Sequence, residues 1–251
     1  MMIRNLAIVA VAGLVVSTAT LSAAFFIAGP QNVINGAWTY GPHGWGGHWS
    51  HHLRDSQDDG PQTTRAIAWS GGEALDIEVP ADIRYTQAPG PAKVTVTGPQ
   101  VAVADLVIEN GRFGYARDRD HDARFTVMIS APSVNRFTLE SSGRLAIVGY
   151  RQDSLTLDLE GDTDVVAAGE AKSVKLSISG SADADLAAMK AQAADVTIEG
   201  SGSAKIAPSA EAKVDISGSG DVHLLTDPPK LATHISGSGQ VTHGGQTVSG
   251  E

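Results

Sequence analysis

Ile178-Ser-Gly180-Ser-Ala182, Ile198-Glu-Gly200-Ser-Gly202, Ile216-Ser-Gly218-Ser-Gly220 and Ile235-Ser-Gly237-Ser-Gly239 repeat one phrase down the second half of the chain. Leu159-Glu-Gly161-Asp-Thr163 and the weaker Leu139-Glu-Ser141-Ser-Gly143 precede them. Anchored on the central residue, the copies fall at 141, 161, 180, 200, 218 and 237, so the steps are 20, 19, 20, 18 and 19 residues. Self-similarity at a fixed period of about 20 residues marks a solenoid.

Each phrase lies between two runs with a period of two. Upstream stand Leu155, Leu157, Leu159; Val174, Leu176, Ile178; Ala194, Val196, Ile198; Ala212, Val214, Ile216; and Leu231, Thr233, Ile235. Downstream, the fourth residue after the anchor is Leu145, Val165, Ala184, Ala204, Val222 or Val241, and the sixth is Ile147, Ala167, Leu186, Ile206, Leu224 or His243. Such alternation puts these side chains on one face of a strand. The expected structural turn residues are Gly143, Gly161, Gly180, Gly200, Gly202, Gly218, Gly220, Gly237 and Gly239. Two residues past the anchor, Gly143, Gly202, Gly220 and Gly239 alternate with Thr163 and Ala182, as a bend that turns inward or needs positive φ requires. Stacked copies would line up Ser142, Ser181, Ser201, Ser219 and Ser238 outside the bend, and each coil would be completed by its neighbours.

The fold class predicted is all-β: a parallel β-helix of about six coils of 18–20 residues. An N-terminal β-rich portion and an N-terminal apolar helix precede it. An antiparallel sandwich of hairpins would need turns between all successive strands and gives no reason for the repeating register. The expected divisions are residues 1–28, a signal peptide or membrane anchor; 29–62, a Gly/His/Trp-rich linker; 63–131, the N-terminal β portion; 132–245, the β-helix repeats; and 246–251, a tail.

Charge and composition narrow the function. The 251 residues carry a net charge of −10. From Arg151 onward there are 7 basic and 15 acidic residues, a balance of −8. So acidic a solenoid does not suit nucleic acid or anionic lipid. No aromatic residue follows Tyr150, which suits a narrow aliphatic core and removes the stacking surfaces that sugar-binding grooves use. The absence of cysteine excludes disulfide and thiol chemistry.

Arg4 and the apolar run Leu6 to Ala28 read as an export signal. Ser22-Ala23-Ala24 offers small residues for cleavage. The run is also long enough to span a bilayer if it stays uncleaved, which would anchor the chain through residues 6–28. Export follows on either reading. The linker carries His43, His48, His51 and His52 among Trp38, Tyr40, Trp45 and Trp49. Those histidines are the candidate metal ligands, for copper, nickel or zinc. The plainer reading is a tether whose aromatic residues rest at the headgroup level. No catalytic or cofactor-binding residue is assigned.

From Thr63 the chain turns to strands: Arg65 to Trp69, Leu75 to Val79, Ile83 to Tyr85, Val94 to Val96, Leu106 to Ile108 and Phe125 to Ile129. The charged tract Tyr115 to Arg124 reads as a solvated hairpin loop. The stretches Leu75-Asp-Ile77-Glu-Val79-Pro-Ala-Asp-Ile83, Val94-Thr-Val96-Thr-Gly98 and Leu106-Val-Ile108-Glu-Asn110-Gly111, with the Ile-Ser-Gly-Ser-Gly phrases, resemble the putative auto-transporter adhesin, head GIN domain family, over about residues 65–245. The resemblance implies a bacterial envelope protein, a right-handed β-helix and no assigned activity. Asp162-Thr163-Asp164 and Ser181-Ala182-Asp183 depart from the family's Gly-Ser-Gly pattern.

The expected function is non-catalytic: an exported module for adhesion, scaffolding or surface recognition, with an unidentified envelope or surface partner. Two other classes compete. A β-helical carbohydrate-active enzyme would use Asp162, Asp164, Asp183, Asp185 and Asp221, which lie near successive bends. It lacks the accompanying Lys or Arg, His and aromatic platforms, and general acid–base work needs carboxylates in contrasting environments. A metal-responsive sensor would use the His-rich linker. Weak calcium binding by Asp162, Asp164 and Asp183 competes with ordinary turn chemistry. His223 and His234 are expected outward and His243 inward. Ten residues follow Val241, too few for another coil, so the coil around Leu231 to Val241 is expected to be open and available for self-association.

Overall fold

The computed structural model describes residues 61–116 and 123–250. The chain divides into units 1–58 and 59–251, and only the second is described. The expected N-terminal apolar helix and the His43–His52 cluster lie outside the described residues. Among those residues no helix is long and apolar enough to cross a membrane.

The structure is an all-β solenoid of about five turns, one fewer than the phrase count suggests. Six anchors bound only five full coils, and the sixth begins a hairpin. Four coils are single bent strands that each run from one bend to the next: β9 (Gly143–Gly161), β10 (Thr163–Gly180), β11 (Asp183–Gly200) and β12 (Ser203–Gly218). The fifth is split by Asp227-Pro228-Pro229 into β13 (Asp221–Leu224) and β14 (Lys230–Gly237). Proline lacks the N–H a ladder needs, so the strand stops there.

Successive coils pair in parallel with like residues aligned: Leu159, Ile178, Ile198, Ile216 and Ile235 form one column. Leu145, Val165, Ala184, Ala204, Val222 and Val241 form another. The inward residues of both columns are buried as far as Ile216 and Val241. Burying a Val, Leu or Ile contributes about 1.5–3 kcal/mol, so the paired columns hold the stack together. Each coil thus has an outgoing face, leaving the bend, and a returning face, approaching it.

The spread in coil length is absorbed at the far corner. Register shifts fall between Leu186 and Lys190 and between Ala191 and Ala193, while the phrase itself stays aligned. The side chain of Tyr150 fills this corner in the first coil, and its hydroxyl donates to the Ser154 carbonyl.

The N-terminal end is built out of chain order. Strand β2 (Ala74–Ile77) pairs in parallel with β8 (Arg136–Leu139), and β3 (Ala81–Gln87) with the outgoing part of β9. On their other side lie β6 (Arg112–Tyr115), parallel to β2, and β7 (Phe125–Ala131), parallel to β3. The rung formed by β2 and β3 is therefore sandwiched between segments that follow it in sequence. Most of the charged tract between β6 and β7 lies outside the described residues, and those two strands do not pair with each other, so they form no hairpin.

Antiparallel strands finish this end. Strand β4 (Lys93–Pro99) lies on β7, β1 (Gln62–Ile67) on β4, and β5 (Leu106–Glu109) on β6. Where no helical period was expected, Gln100–Asp105 forms a short helix, α1. The Leu106 N–H donates to Val103 O at its C-terminal end, and the Arg65 guanidinium adds to this, donating to Val103 O, Ala104 O and Leu106 O at 2.8, 2.7 and 2.6 Å. Aromatic side chains widen the core here: Tyr85 meets Phe137 edge-on with centroids 5.0 Å apart, and Phe113 and Phe125 are fully buried.

At the other end the tail does not fray. After β15 (Gln240–His243) the chain reverses at Gly244-Gly245, both with positive φ, and β16 (Gln246–Ser249) pairs antiparallel with β15.

Candidate functional site

The bend carries the outward features of every coil. Its anchor glycines from Gly161 to Gly237 all take positive φ, whereas the inward turn expected two residues later is a matter of space. Gly200 shows the first requirement: φ is +129°, and a Cβ would lie 2.3 Å from the Gly180 carbonyl oxygen. Gly220 shows the second: a Cβ would lie 2.6 Å from Ile198 Cγ2 and 2.9 Å from Gly202 O. Thr163 fits the same position in an earlier coil by turning its hydroxyl onto the Ser141 carbonyl, 3.0 Å away.

The backbone ladder continues through the bends, with Ser181, Ser201, Ser219 and Ser238 donating to Gly161, Gly180, Gly200 and Gly218 at 2.8–2.9 Å. Their hydroxyls, with that of Ser142, stand exposed in a row. Beside them runs the column Asp82, Arg144, Asp164, Asp183, Ser203, Asp221, Gln240, with backbones about 4.8 Å apart. Arg144 Nη2 lies 3.2 Å from Asp164 Oδ2, and Ser203 Oγ donates to Asp183 Oδ1 at 2.5 Å. The next outward column sets Asp185, Lys205 and His223 side by side, and Asp185 accepts the Ala187 N–H at 3.0 Å. Asp162 is exposed at its bend.

The structure therefore brings Asp164, Asp183, Asp185 and Asp221 to one outgoing face, and adds Arg144 and Lys205, which sequence reading left out. Arg144 belongs to the weakest copy of the phrase, where alignment by motif carried least information. The carboxylates stand on an open surface, and among the described residues no three metal-ligating side chains converge. His243 and Asp227 approach to 3.1 Å at the far corner of the last coil; His223 and the exposed His234 lie apart from them on outward columns.

A separate open groove of about 940 Å³ lies at the N-terminal end between Trp69, Ile67, Ala92, Ile108 and Asn110. Its signal in sequence was Trp69, an aromatic residue at the end of an alternating run. None of the bend aspartates lines it.

Residues 70–228 match the family described as putative auto-transporter adhesin, head GIN domain. The chain belongs to that family. Two solved structures share the fold of this head GIN chain. A putative adhesin from Bacteroides fragilis is 17% identical, covers 73% of this chain and 97% of its own, and superposes with a TM-score of 0.54. A putative adhesin from Parabacteroides merdae is 18% identical over 73% of this chain and 96% of its own, with a TM-score of 0.51. No curated protein matches the chain.

Proposed function

We propose that this head GIN protein is an exported, non-catalytic module of the bacterial envelope, serving adhesion, scaffolding or surface recognition. Its solenoid is taken as right-handed, as the family implies, and residues 6–28 as a signal or an inner-membrane anchor. The observation that carries the reading is the exposed hydroxyl row with its neighbouring Asp/Arg column on an open, regular face. A flat lattice of polar groups at the strand-to-strand spacing suits a repetitive partner surface better than one small substrate, which sites normally enclose. The family and its structural relatives carry the adhesin description, which supports the same class.

Fractionation of producing cells, with N-terminal sequencing of the mature protein, tests the location; recovery of the intact chain in the cytoplasm overturns it. Attachment of producing cells to surfaces tests the role. Asp164→Asn, Asp183→Asn and Asp221→Asn together should weaken attachment while the protein stays folded and exported. Polysaccharide cleavage that disappears with Asp162→Asn, Asp164→Asn and Asp183→Asn would replace this reading by the enzymatic one.

A further inference from the structure

The C-terminal end of the solenoid is a step. On the outgoing face two strands, β15 and β16, extend past β13. On the returning face β14 pairs only with β12, so two strand positions beside that step hold no strand among the described residues, although Gly250 reaches over Gly237 at the bend end. The core ends accordingly. Leu231 and Ile235 are half-buried and Thr233 exposed, although their counterparts Ala212, Val214 and Ile216 are buried. Val248, aligned with buried Val241, is 38% exposed.

We propose that two copies of this chain join end to end by interlocking these steps. A two-fold rotation about an axis along the strands sets the outgoing face of one copy over the returning face of the other. The two extra strands of each copy then fill the two vacant positions of its partner, and β14 of one lies beside β16 of the other, on both faces at once. Such a contact is isologous and closes on itself. Matching like face to like face would instead drive β16 against β16 and leave the vacant positions unfilled, so shape selects the first arrangement.

Charge selects the same end. No Asp or Glu lies between Asp227 and Glu251, while Lys230, His234 and His243 do, in a chain of net charge −10. Asp227 is the carboxylate nearest this end and lies 3.1 Å from His243, so two copies meet here with less carboxylate repulsion than along the coils. The opposite end differs, since β1, β4, β5 and α1 already cover it. The inference does not depend on the proposed surface role.

The bend at Ser238 sets the register across the joint. Ile235 and Val241 are equally far from it, and Val248 is aligned with Val241. Ile235 of one copy therefore neighbours Val248 of the other inside, and His234 neighbours Thr247 outside. Neighbouring strands at about 4.8 Å bring two cysteines within disulfide range, and the native chain has no cysteine. Within one copy these two positions lie on opposite faces.

The full-length chain carrying both His234→Cys and Thr247→Cys, oxidised with diamide in extracts of the producing cells, should give one reducible band at twice the monomer mass. His234→Cys alone and Thr247→Cys alone should give none. Adding Thr233→Lys, which sets a charge in the joint at a position exposed in the single copy, should reduce the band at least tenfold with undiminished protein level; Val248→Lys should do the same. Monomer alone from the double-cysteine chain overturns the proposal. So does a ladder of higher species, which means head-to-tail growth, or a dimer band that survives both lysine variants in folded protein.

Discussion

At the residue scale, two kinds of glycine do different work in the bend, and substitution separates them. Gly200→Ala should cost several kcal/mol, because its positive φ disfavours any Cβ and that Cβ would meet the neighbouring bend's backbone. Gly161→Ala, with φ +92° but nothing within 4 Å of the new Cβ, should cost only the conformational strain, about 1–2 kcal/mol. Urea unfolding of both variants checks the difference. The same measurement separates inward from outward positions: Ile198→Asp buries an unpaired charge at a site with 0% exposure and should destabilise by several kcal/mol. Thr197→Asp, one residue away and outward, should be nearly silent. The alternation at these residues was legible in the sequence. The division of labour between anchor and second glycine was not, because it depends on how closely the adjacent coil's carbonyl approaches.

At the element scale, each long strand tolerates irregularity at only one of its corners. Strand β11 carries Ala187, Ala188 and Met189 at the far corner where β12 passes directly from Ile206 to Ala207. One alanine inserted after Ala188 should therefore lower stability by less than about 1 kcal/mol. One inserted after Val196 would carry Ile198 to the outer face and Thr197 inward, since side chains alternate strictly. That variant should not fold, as circular dichroism and soluble yield would show. The spacing of 18–20 residues announced variable coil lengths. It could not say which corner takes up the difference, because the far corner has no repeated phrase of its own.

At the scale of the whole molecule, the aromatic end governs both closure and alkaline stability. Burial raises the Tyr85 hydroxyl to about 12 and raises that of Tyr150 as well. Both folded states favour the protonated phenol, so their contribution to stability is intact below pH 10. It falls as pH rises from there through the folded-state values, by roughly 1.4 kcal/mol per pH unit for each tyrosine. An alkaline urea series should show this decline, shallower in Tyr85→Phe. A chain lacking 61–87 should be insoluble, because losing β1, β2 and β3 leaves one edge of β8 and β9 unpaired and separates them from β6 and β7. Removing 246–249 should leave the fold intact, since every residue of β16 is exposed. By itself the sequence determined the period, the inward columns and the family, because those rest on local alternation and on residues that recur at fixed spacing. Only the tertiary structure decided that the rung of β2 and β3 lies between later segments and that the end is stepped. Those outcomes depend on which strand edges are free to pair when the chain returns from its N-terminal excursion, and strand pairing through backbone N–H and C=O groups leaves little mark on the side-chain sequence.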